Sequence, residues 1–296
     1  AIVIATPPEP RFKLALEALN AGKHLFLEKP VALSSEDISK LQGIAMSKKL
    51  SVAVNFEYRA VPIFMEAQNL LRKGVIGTPW LTRLDWLMSS RANEERPWNW
   101  YSQKEKGGGV IGALGTHAFD IIDWLCGPIA SVNSLLSTSI KERPENNMGK
   151  KLKVTSEDIA LAQIEIKGRE DNQLCPAQIS LSSVSREGRG FLLEIYGSKG
   201  TMTLSSSNQK DYVHGFNLCL TGANEKTKAI MPSTKLMFPK TWADGRIAPV
   251  SRVQEWWVHS IRNQIPMIPG LMEGMTSQRV CDKMNESSLI SQKINI

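Results

Sequence analysis

Several features are scarce or missing in this sequence of 296 residues, and each absence excludes a class of protein. No apolar run approaches the roughly 20 residues that a membrane span needs. No basic segment followed by an apolar stretch resembles a signal peptide, so we expect a cytoplasmic protein without a membrane partner. The four cysteines lie far apart and form no Cys-x-x-Cys pair, which argues against a zinc ribbon or a thiol redox site.

The charge pattern does not favour a nucleic-acid partner. Lysine and arginine total 36 against 29 acidic residues, giving a net charge of +7, but these charges are scattered along the chain. The densest basic cluster, at 149–153, lies in a polar stretch at 139–153 that we predict to be a mobile loop, as we do 205–212. We therefore expect no nucleic-acid binding, while a mild attraction for anionic small molecules is compatible with the charge.

The first 55 residues alternate between apolar runs and amphipathic segments. Three apolar runs predict strands, the first of them buried on both faces: 1–5, 24–28 and 50–54. Segments with helical spacing of apolar residues separate these runs, at 11–24 and 34–49. This order predicts half of a doubly wound parallel sheet, the Rossmann type of α/β fold, over residues 1–55.

The glycine fingerprint Gly-x-Gly-x-x-Gly, which follows the first strand of a dinucleotide-binding fold, is absent. The chain also begins with Ala1 directly inside a strand pattern, whereas natural termini are usually exposed and frayed. We therefore expect that the half of the fold that holds a pyrophosphate lies upstream of Ala1. We also expect the chain as given, which lacks that half, to bind a dinucleotide weakly or not at all.

The remaining chain, 56–296, predicts a second domain of the α+β class. Helical patterns occur at 62–73, 107–125, 253–264 and 275–291. Strand patterns occur at 80–88, 131–140, 158–166, 177–185, 191–197 and 200–206. Because most of these strands follow one another without intervening helices, we predict an open, largely antiparallel sheet.

Two motifs carry residues suited to chemistry. Lys29, in Glu-Lys-Pro at 28–30, follows a predicted parallel strand, and ligands bind at the carboxyl ends of such strands. The alternative is a surface lysine fixed by the turn before Pro30. The second motif is GGGVIGALGTHAFD at 107–120, where His117 can carry a proton near neutral pH, or can be a core histidine. Its glycines lack the Gly-Lys-Ser/Thr ending of a phosphate-binding loop.

Asp120 lies three residues after His117, on the same face of the predicted helix. It can orient the imidazole or bind a ligand hydroxyl, or it can anchor the helix to a neighbouring loop. A histidine and an aspartate without a third ligand are weak support for a metal, so we expect none.

Beyond these motifs, the sequence resembles the glucose–fructose oxidoreductase, inositol dehydrogenase and MocA family over nearly its whole length. The matching stretches are IATPPEPRFKLALEALNAGKHLFLEKPVAL, VNFEYRAVP, GGGVIGALGTHAFDIIDWLCG, EIYGSKGTMTL and PGLMEGMTSQRVCDKMNESS. The Glu-Lys-Pro motif and the glycine-rich stretch with His117, in this order and at this separation, make the resemblance fairly specific. It implies a Rossmann domain followed by an α/β domain whose open sheet packs against another subunit, and hence a homo-oligomer.

The resemblance implies an enzyme that uses NAD or NADP and acts on a small-molecule substrate, with Lys29 and His117 as catalytic residues. The positions that it places near the cofactor are Thr6, Pro7, Pro8, Glu28, Lys29 and Asn55. The positions that it places near the substrate are Arg59, Trp100, Tyr101 and Asp120. Structural roles are the alternatives for these residues: a structural role for Glu28, a surface position or a pairing between domains for Asn55 and Arg59, and a core role for the aromatic residues.

The chain departs from the family at Ala113, where members commonly have an aspartate one helical turn before the histidine. Either Lys29 and His117 suffice, or another group such as Asp120 substitutes, or the protein carries out different chemistry or none.

The favoured hypothesis is an NAD(P)-dependent oxidoreductase that transfers hydride between nicotinamide and a sugar, polyol or related hydroxy compound. A non-catalytic sensor and an NAD-dependent glycosidase are the alternatives. The sequence does not distinguish NAD from NADP, because we expect the residues that would contact the ribose to lie upstream of Ala1.

Overall fold

The computed structural model describes residues 1–145, 149–168, 173–211 and 213–296. Its helices are α1 (Pro8–Asn20), α2 (Ser35–Ser47), α3 (Pro62–Arg72), α4 (Thr116–Leu125), α5 (Ile247–Asn263) and α6 (Leu271–Ile290). Its strands are β1 (Ile2–Ile4), β2 (Leu25–Leu27), β3 (Val52–Val54), β4 (Pro79–Leu87), β5 (Ile129–Ser137), β6 (Glu142–Pro144), β7 (Lys151–Lys153), β8 (Ile159–Lys167), β9 (Leu174–Ser182), β10 (Gly190–Gly197), β11 (Gly200–Ser206), β12 (Asn217–Gly222), β13 (Lys228–Ile230) and β14 (Ile294–Asn295).

The first sheet is parallel and has the order β1-β2-β3, with α1 and α2 as the two crossover helices. Strands β2 and β3 are fully buried, as their continuous apolar sequences predict. The prediction that the first strand is buried on both faces is wrong. Ile2 is 40% and Val3 is 57% exposed. Both β1 and β3 are edge strands of this sheet, but α5 and α6 pack against β3.

The second sheet has nine strands in the order β13-β12-β11-β10-β4-β9-β8-β5-β14 within the described residues. Its neighbours pair antiparallel except for β4 and β9, which are parallel. The fold class is therefore confirmed: a parallel α/β unit followed by an α+β unit with a mostly antiparallel sheet. One face of this sheet carries the large apolar core with α3, α4 and α6, and the other face is open.

Two loop predictions need correction or limits. The polar stretch 139–153 contains the antiparallel pair β6 and β7, so it is more regular than a loop, and its residues 146–148 lie outside the described residues. In the stretch 205–212, residues 205 and 206 end β11, turns follow at 207–211, and residue 212 lies outside the described part.

The two carboxy-terminal helices pack against the amino-terminal sheet. Trp257 of α5 lies 5.7 Å from Phe26 of β2, measured between ring centroids. Helix α6 bridges the two units, because Asp282 accepts a hydrogen bond from the amide of Ser35 in α2 (2.8 Å) and Ser287 accepts one from the amide of Ser134 in β5 (3.0 Å). These helices hold the edge of the first sheet against the second unit, and the candidate site lies at that junction.

The glycine-rich segment is not the continuous helix predicted for 107–125. Gly107 and Gly109 adopt positive φ angles of 74° and 98°, which only glycine adopts readily, so the segment begins as a tight loop. A π-helical turn at Ile111–Gly115 then leads into α4. Turns of this kind are rare and occur frequently at functional sites.

We expect Gly108→Ala to destabilise the protein by about 1–3 kcal/mol, because a methyl group there would lie 2.2 Å from the carbonyl oxygen of Tyr101. Gly43→Ala is the matched control. A methyl group at Gly43 meets nothing within 4 Å, and alanine is the better helix former by about 0.5–1 kcal/mol. Urea unfolding measures both, and equal stabilities for the two variants would contradict this close packing.

Candidate active site

The three parallel strands end at one edge of the first sheet, and the residues that follow them meet there. Thr6 follows β1, Glu28 and Lys29 follow β2, and Asn55 follows β3. The Asn55 side chain donates to a Glu28 carboxylate oxygen at 2.6 Å, so these two predicted positions are in direct contact. Pro8 lies on the other side, against the position that a side chain at Gly107 would occupy.

Arg11 of α1 holds this edge together and was not among the predicted site residues. Its buried guanidinium donates to the carbonyl oxygen of Glu28 at 2.7 Å and to the carbonyl oxygens of Thr6 and Pro30. Burial lowers the pKa of Arg11 to about 10, partly offset by Glu28, so it stays charged at neutral pH. One indication of this role was available from the sequence, since Arg11 lies on the apolar face of α1, where a charged residue needs a buried partner.

Lys29 reaches from the first sheet to the glycine-rich segment. Its ammonium donates to the carbonyl oxygen of Ala113 in the π-helical turn at 2.8 Å. Burial lowers the pKa of Lys29, and the carboxylates of Glu57 and Glu28 partly offset this effect. Lys29 is half-buried, and its ammonium is fixed by the hydrogen bond to Ala113.

His117 lies in the first turn of α4 and is 4% exposed. Aromatic rings surround its imidazole, with centroid distances of 5.0 Å to Tyr58, 5.9 Å to Phe56 and 6.3 Å to Trp86. Burial lowers the pKa of His117 well below its usual value, and the charge of Lys29 lowers it further. His117 is therefore neutral at pH 7 and able to accept a proton.

Glu57 is the nearest carboxylate to His117 and was also not among the predicted site residues. It lies in the short 3₁₀ turn Glu57–Ala60 after β3, and its Oε2 is 3.7 Å from Nε2 of His117. Burial raises the pKa of Glu57 to about 7, although Lys29 opposes this. The resemblance directed attention to Ala113 and Asp120, and a lone glutamate in VNFEYR gave no separate signal.

Asp120 and Arg59 bind each other. The Asp120 carboxylate accepts three hydrogen bonds from the Arg59 guanidinium, at 2.7, 2.9 and 3.1 Å, and both residues are at most 5% exposed. The guanidinium carbon also lies 5.5 Å from the ring centroid of Trp124. This geometry favours the structural alternative, in which Asp120 anchors α4 to the loop after β3.

Trp100 and Tyr101 lie beside the glycine-rich loop. The carbonyl oxygen of Tyr101 accepts a hydrogen bond from the amide of Gly109 at 3.0 Å, and its ring lies 3.9 Å from the guanidinium carbon of Arg91. Tyr101 therefore supports the loop. Trp100 packs on Tyr101 with a centroid distance of 6.0 Å and is half-buried, so part of its ring is exposed.

Unpaired polar atoms at the strand edge fit a polar ligand. Thr6 Oγ1 and Asn55 Oδ1 are buried, and each lacks a hydrogen-bond partner among the described residues. Such atoms are costly to bury unless something binds them, and nicotinamide and ribose groups carry the hydroxyl and amide partners that they need. The residues present therefore fit the nicotinamide end of a dinucleotide.

Two further searches concern metals and membranes. Within the described ranges, no group of three or more His, Cys, Asp or Glu side chains is placed to hold a metal ion. No helix in that part of the chain combines the length and the apolar character that crossing a bilayer requires.

Two family models match the chain. Residues 1–56 match the NAD-binding Rossmann fold of the GFO/IDH/MocA oxidoreductase family, and residues 68–296 match the C-terminal alpha/beta domain of the same family. Together these matches cover most of the sequence.

Curated relatives and solved structures agree with these models. An uncharacterized oxidoreductase of Synechocystis sp. is 43% identical over 95% of this chain and 75% of its own length. Levoglucosan dehydrogenase of Pseudarthrobacter phenanthrenivorans is 34% identical over 49% of this chain and 38% of its own length. The structure of a levoglucosan dehydrogenase complexed with NADH and L-sorbose superposes with a TM-score of 0.86, covering 99% of this chain and 79% of the other at 22% identity, which shows the shared fold.

The fold and these matches lead to one conclusion. The chain belongs to the glucose–fructose oxidoreductase, inositol dehydrogenase and MocA family of NAD(P)-dependent oxidoreductases.

Proposed function

We propose that this protein oxidises or reduces a secondary alcohol of a sugar, polyol or related hydroxy compound, with His117 as the proton carrier and Lys29 as the cation that orients the reacting oxygen. The observation that carries the proposal is the hydrogen bond from the Lys29 ammonium to the carbonyl oxygen of Ala113, four residues before His117, at a position where its charge lowers the pKa of the imidazole. Two relatives support the substrate class by name, levoglucosan dehydrogenase and glucose-6-phosphate 3-dehydrogenase. We propose the residues after the first three strands for the cofactor side: Thr6, Pro7, Pro8, Glu28, Lys29 and Asn55.

The neutral His117 and the charged Lys29 have different roles in this proposal. NAD or NADP, when bound, supplies a hydride acceptor or donor. His117 is neutral and buried, so it can take the proton of a substrate hydroxyl during oxidation and return it during reduction. The Lys29 ammonium stabilises negative charge that develops on the same oxygen. The rings of Phe56, Tyr58 and Trp86 exclude water and fix the plane of the imidazole.

The first test is cofactor binding followed by turnover. NADH and NADPH are titrated while energy transfer from the eight tryptophans is recorded, on this chain and on the longest form that its gene encodes. We expect the longest form to bind, with reduction of NAD⁺ or NADP⁺ in the presence of at least one compound from a panel of sugars and polyols. Binding without turnover across the panel would contradict the proposal and favour the sensor, for which Ala113 is the supporting observation. Release of an aglycone without net NADH would favour the glycosidase.

We also propose a homo-oligomer that forms through the open face of the second sheet. Leu135 of β5 and Leu161 of β8 pair directly across the strands on that face, and they are 62% and 42% exposed. The double variant Leu135→Asp/Leu161→Asp is expected to lower the mass measured by light scattering to that of a monomer. Leu289→Asp, at a residue of α6 that is 78% exposed, is the control. An unchanged mass in the double variant would exclude this face.

The division into a dinucleotide-binding unit at 1–55 and a substrate-binding unit at 56–296 is part of the same proposal. A cytoplasmic location and the lack of a nucleic-acid partner stay predictions from composition.

A further inference from the structure

A buried carboxylate beside the proton carrier has no role in the mechanism above. The Glu57 side chain is 12% exposed, and its Oε2 lies 3.7 Å from Nε2 of His117. That oxygen has no hydrogen-bond partner in the described part of the chain, although a buried carboxylate oxygen without one is costly. A small movement of either side chain closes the gap to hydrogen-bond distance.

The two residues beside Glu57 in the sequence hold it close to His117. Glu57 stands between Phe56 and Tyr58, and both neighbouring rings pack edge-on against the imidazole of His117. Three consecutive residues therefore surround His117 from the loop after β3. Asp120, the other candidate for a supporting carboxylate, is fully engaged with Arg59.

We propose that Glu57 replaces the carboxylate missing at Ala113 and forms with His117 a pair that holds and passes on the substrate proton. Glu57 acts through His117 and is therefore a positioning residue. This inference rests on the proposed oxidoreductase function.

The proton balance of oxidation follows from this arrangement. The O–H bond of the substrate breaks and an N–H bond forms on His117, while the carbon loses hydride to NAD⁺ or NADP⁺ and becomes a carbonyl. The imidazolium then gives one proton to the Glu57 carboxylate, which releases it to solvent. Reduction runs these steps in reverse.

The charged groups around Glu57 and His117 influence the pKa values of both side chains. Lys29 and Glu28 face Glu57 from the loop after β2, and Arg246 faces it from the residue before α5. Lys29 also faces His117. Since burial raises the pKa of Glu57 to about 7 and lowers that of His117, the carboxyl group is the member of the pair that titrates near neutral pH.

The direct test is ring-¹⁵N NMR of His117 in cofactor-free protein between pH 5 and 9, assigned with His117→Asn. We expect the ring nitrogens to show a titration step near pH 7 in the wild type and in Glu17→Gln, a control on the exposed face of α1. Glu57→Gln should lose the step. A step that persists in Glu57→Gln, or a wild type without one, would overturn the inference. If Glu57→Gln fails to fold, Glu57→Asp should keep the step at a shifted midpoint, and an unshifted midpoint would count against the pair.

Kinetics give a second readout that separates this inference from the proposed function. In the longest form that the gene encodes, Glu57→Gln should lower kcat/KM for oxidation by about 10–100-fold and remove its rise with pH through about 7, without a change in cofactor affinity. If kcat/KM and its pH profile match the wild type, Glu57 has no part in proton transfer. A wild type without turnover would contradict the proposed function, while the NMR titration would still decide whether Glu57 and His117 share a proton.

Discussion

Lys29→Met is expected to lower kcat/KM by about 10²–10⁴-fold, or about 3–5 kcal/mol of transition-state stabilisation. Methionine retains much of the length and apolar stem of lysine, so the loss isolates the ammonium that donates to the carbonyl oxygen of Ala113. The same substitution should raise the pKa of His117, because the positive charge of Lys29 disfavours the imidazolium. Burial remains the larger cause of the lowered pKa, so the rise is partial.

Steady-state kinetics and ring-¹⁵N NMR of His117 measure the two effects separately. Lys13→Met, on the exposed face of α1, is the matched control and should leave both unchanged. A Lys29→Met enzyme within threefold of the wild type would remove Lys29 from the mechanism. A large loss of activity with an unchanged pKa of His117 would mean that the ammonium acts on the substrate without influencing the imidazole.

Asp120→Ala is expected to lower the free energy of unfolding by about 3–5 kcal/mol, because it leaves the Arg59 guanidinium buried without its partner. The double variant Arg59→Met/Asp120→Leu should recover much of this loss, since it removes both charges and retains apolar volume. Urea unfolding measures both variants.

This result would separate the two roles of Asp120 that the sequence leaves open. If Asp120 served mainly to bind substrate hydroxyls, Asp120→Ala would raise KM and change the stability little. Lys40→Ala, which removes the exposed pair between Lys40 and Asp37, is the control and should hardly change the stability.

Much of the first unit follows from local sequence. The runs at 24–28 and 50–54 are apolar without alternation, and only strands covered on both faces tolerate such sequences, so β2 and β3 were predictable. The start of α2 was predictable from Ser34, whose side chain accepts a hydrogen bond from the amide of Asp37. Local propensity says nothing about sheet order, so it did not reveal that β1 is an exposed edge strand.

The second unit was less predictable where long-range pairing decides the structure. The short strands β6, β7, β12, β13 and β14 have few residues and little apolar pattern, and their partners across the sheet hold them in place. The π-helical turn at Ile111–Gly115 likewise depends on the loop formed by Gly107 and Gly109.

By itself, the sequence determined the order of the longer helices and strands, and it predicted a ligand at the carboxyl ends of the first strands and roles for Lys29 and His117. Such features are encoded in the local periodicity of apolar residues and in motifs of a few consecutive residues. The tertiary structure decided which polar groups pair: Asp120 with Arg59, and Arg11 with three carbonyl oxygens. It also brought Glu57 Oε2 to 3.7 Å from Nε2 of His117. Burial makes an unpaired charge costly, so each buried charged group needs a partner close to it. These partners lie far apart in the sequence and become neighbours only when the chain folds.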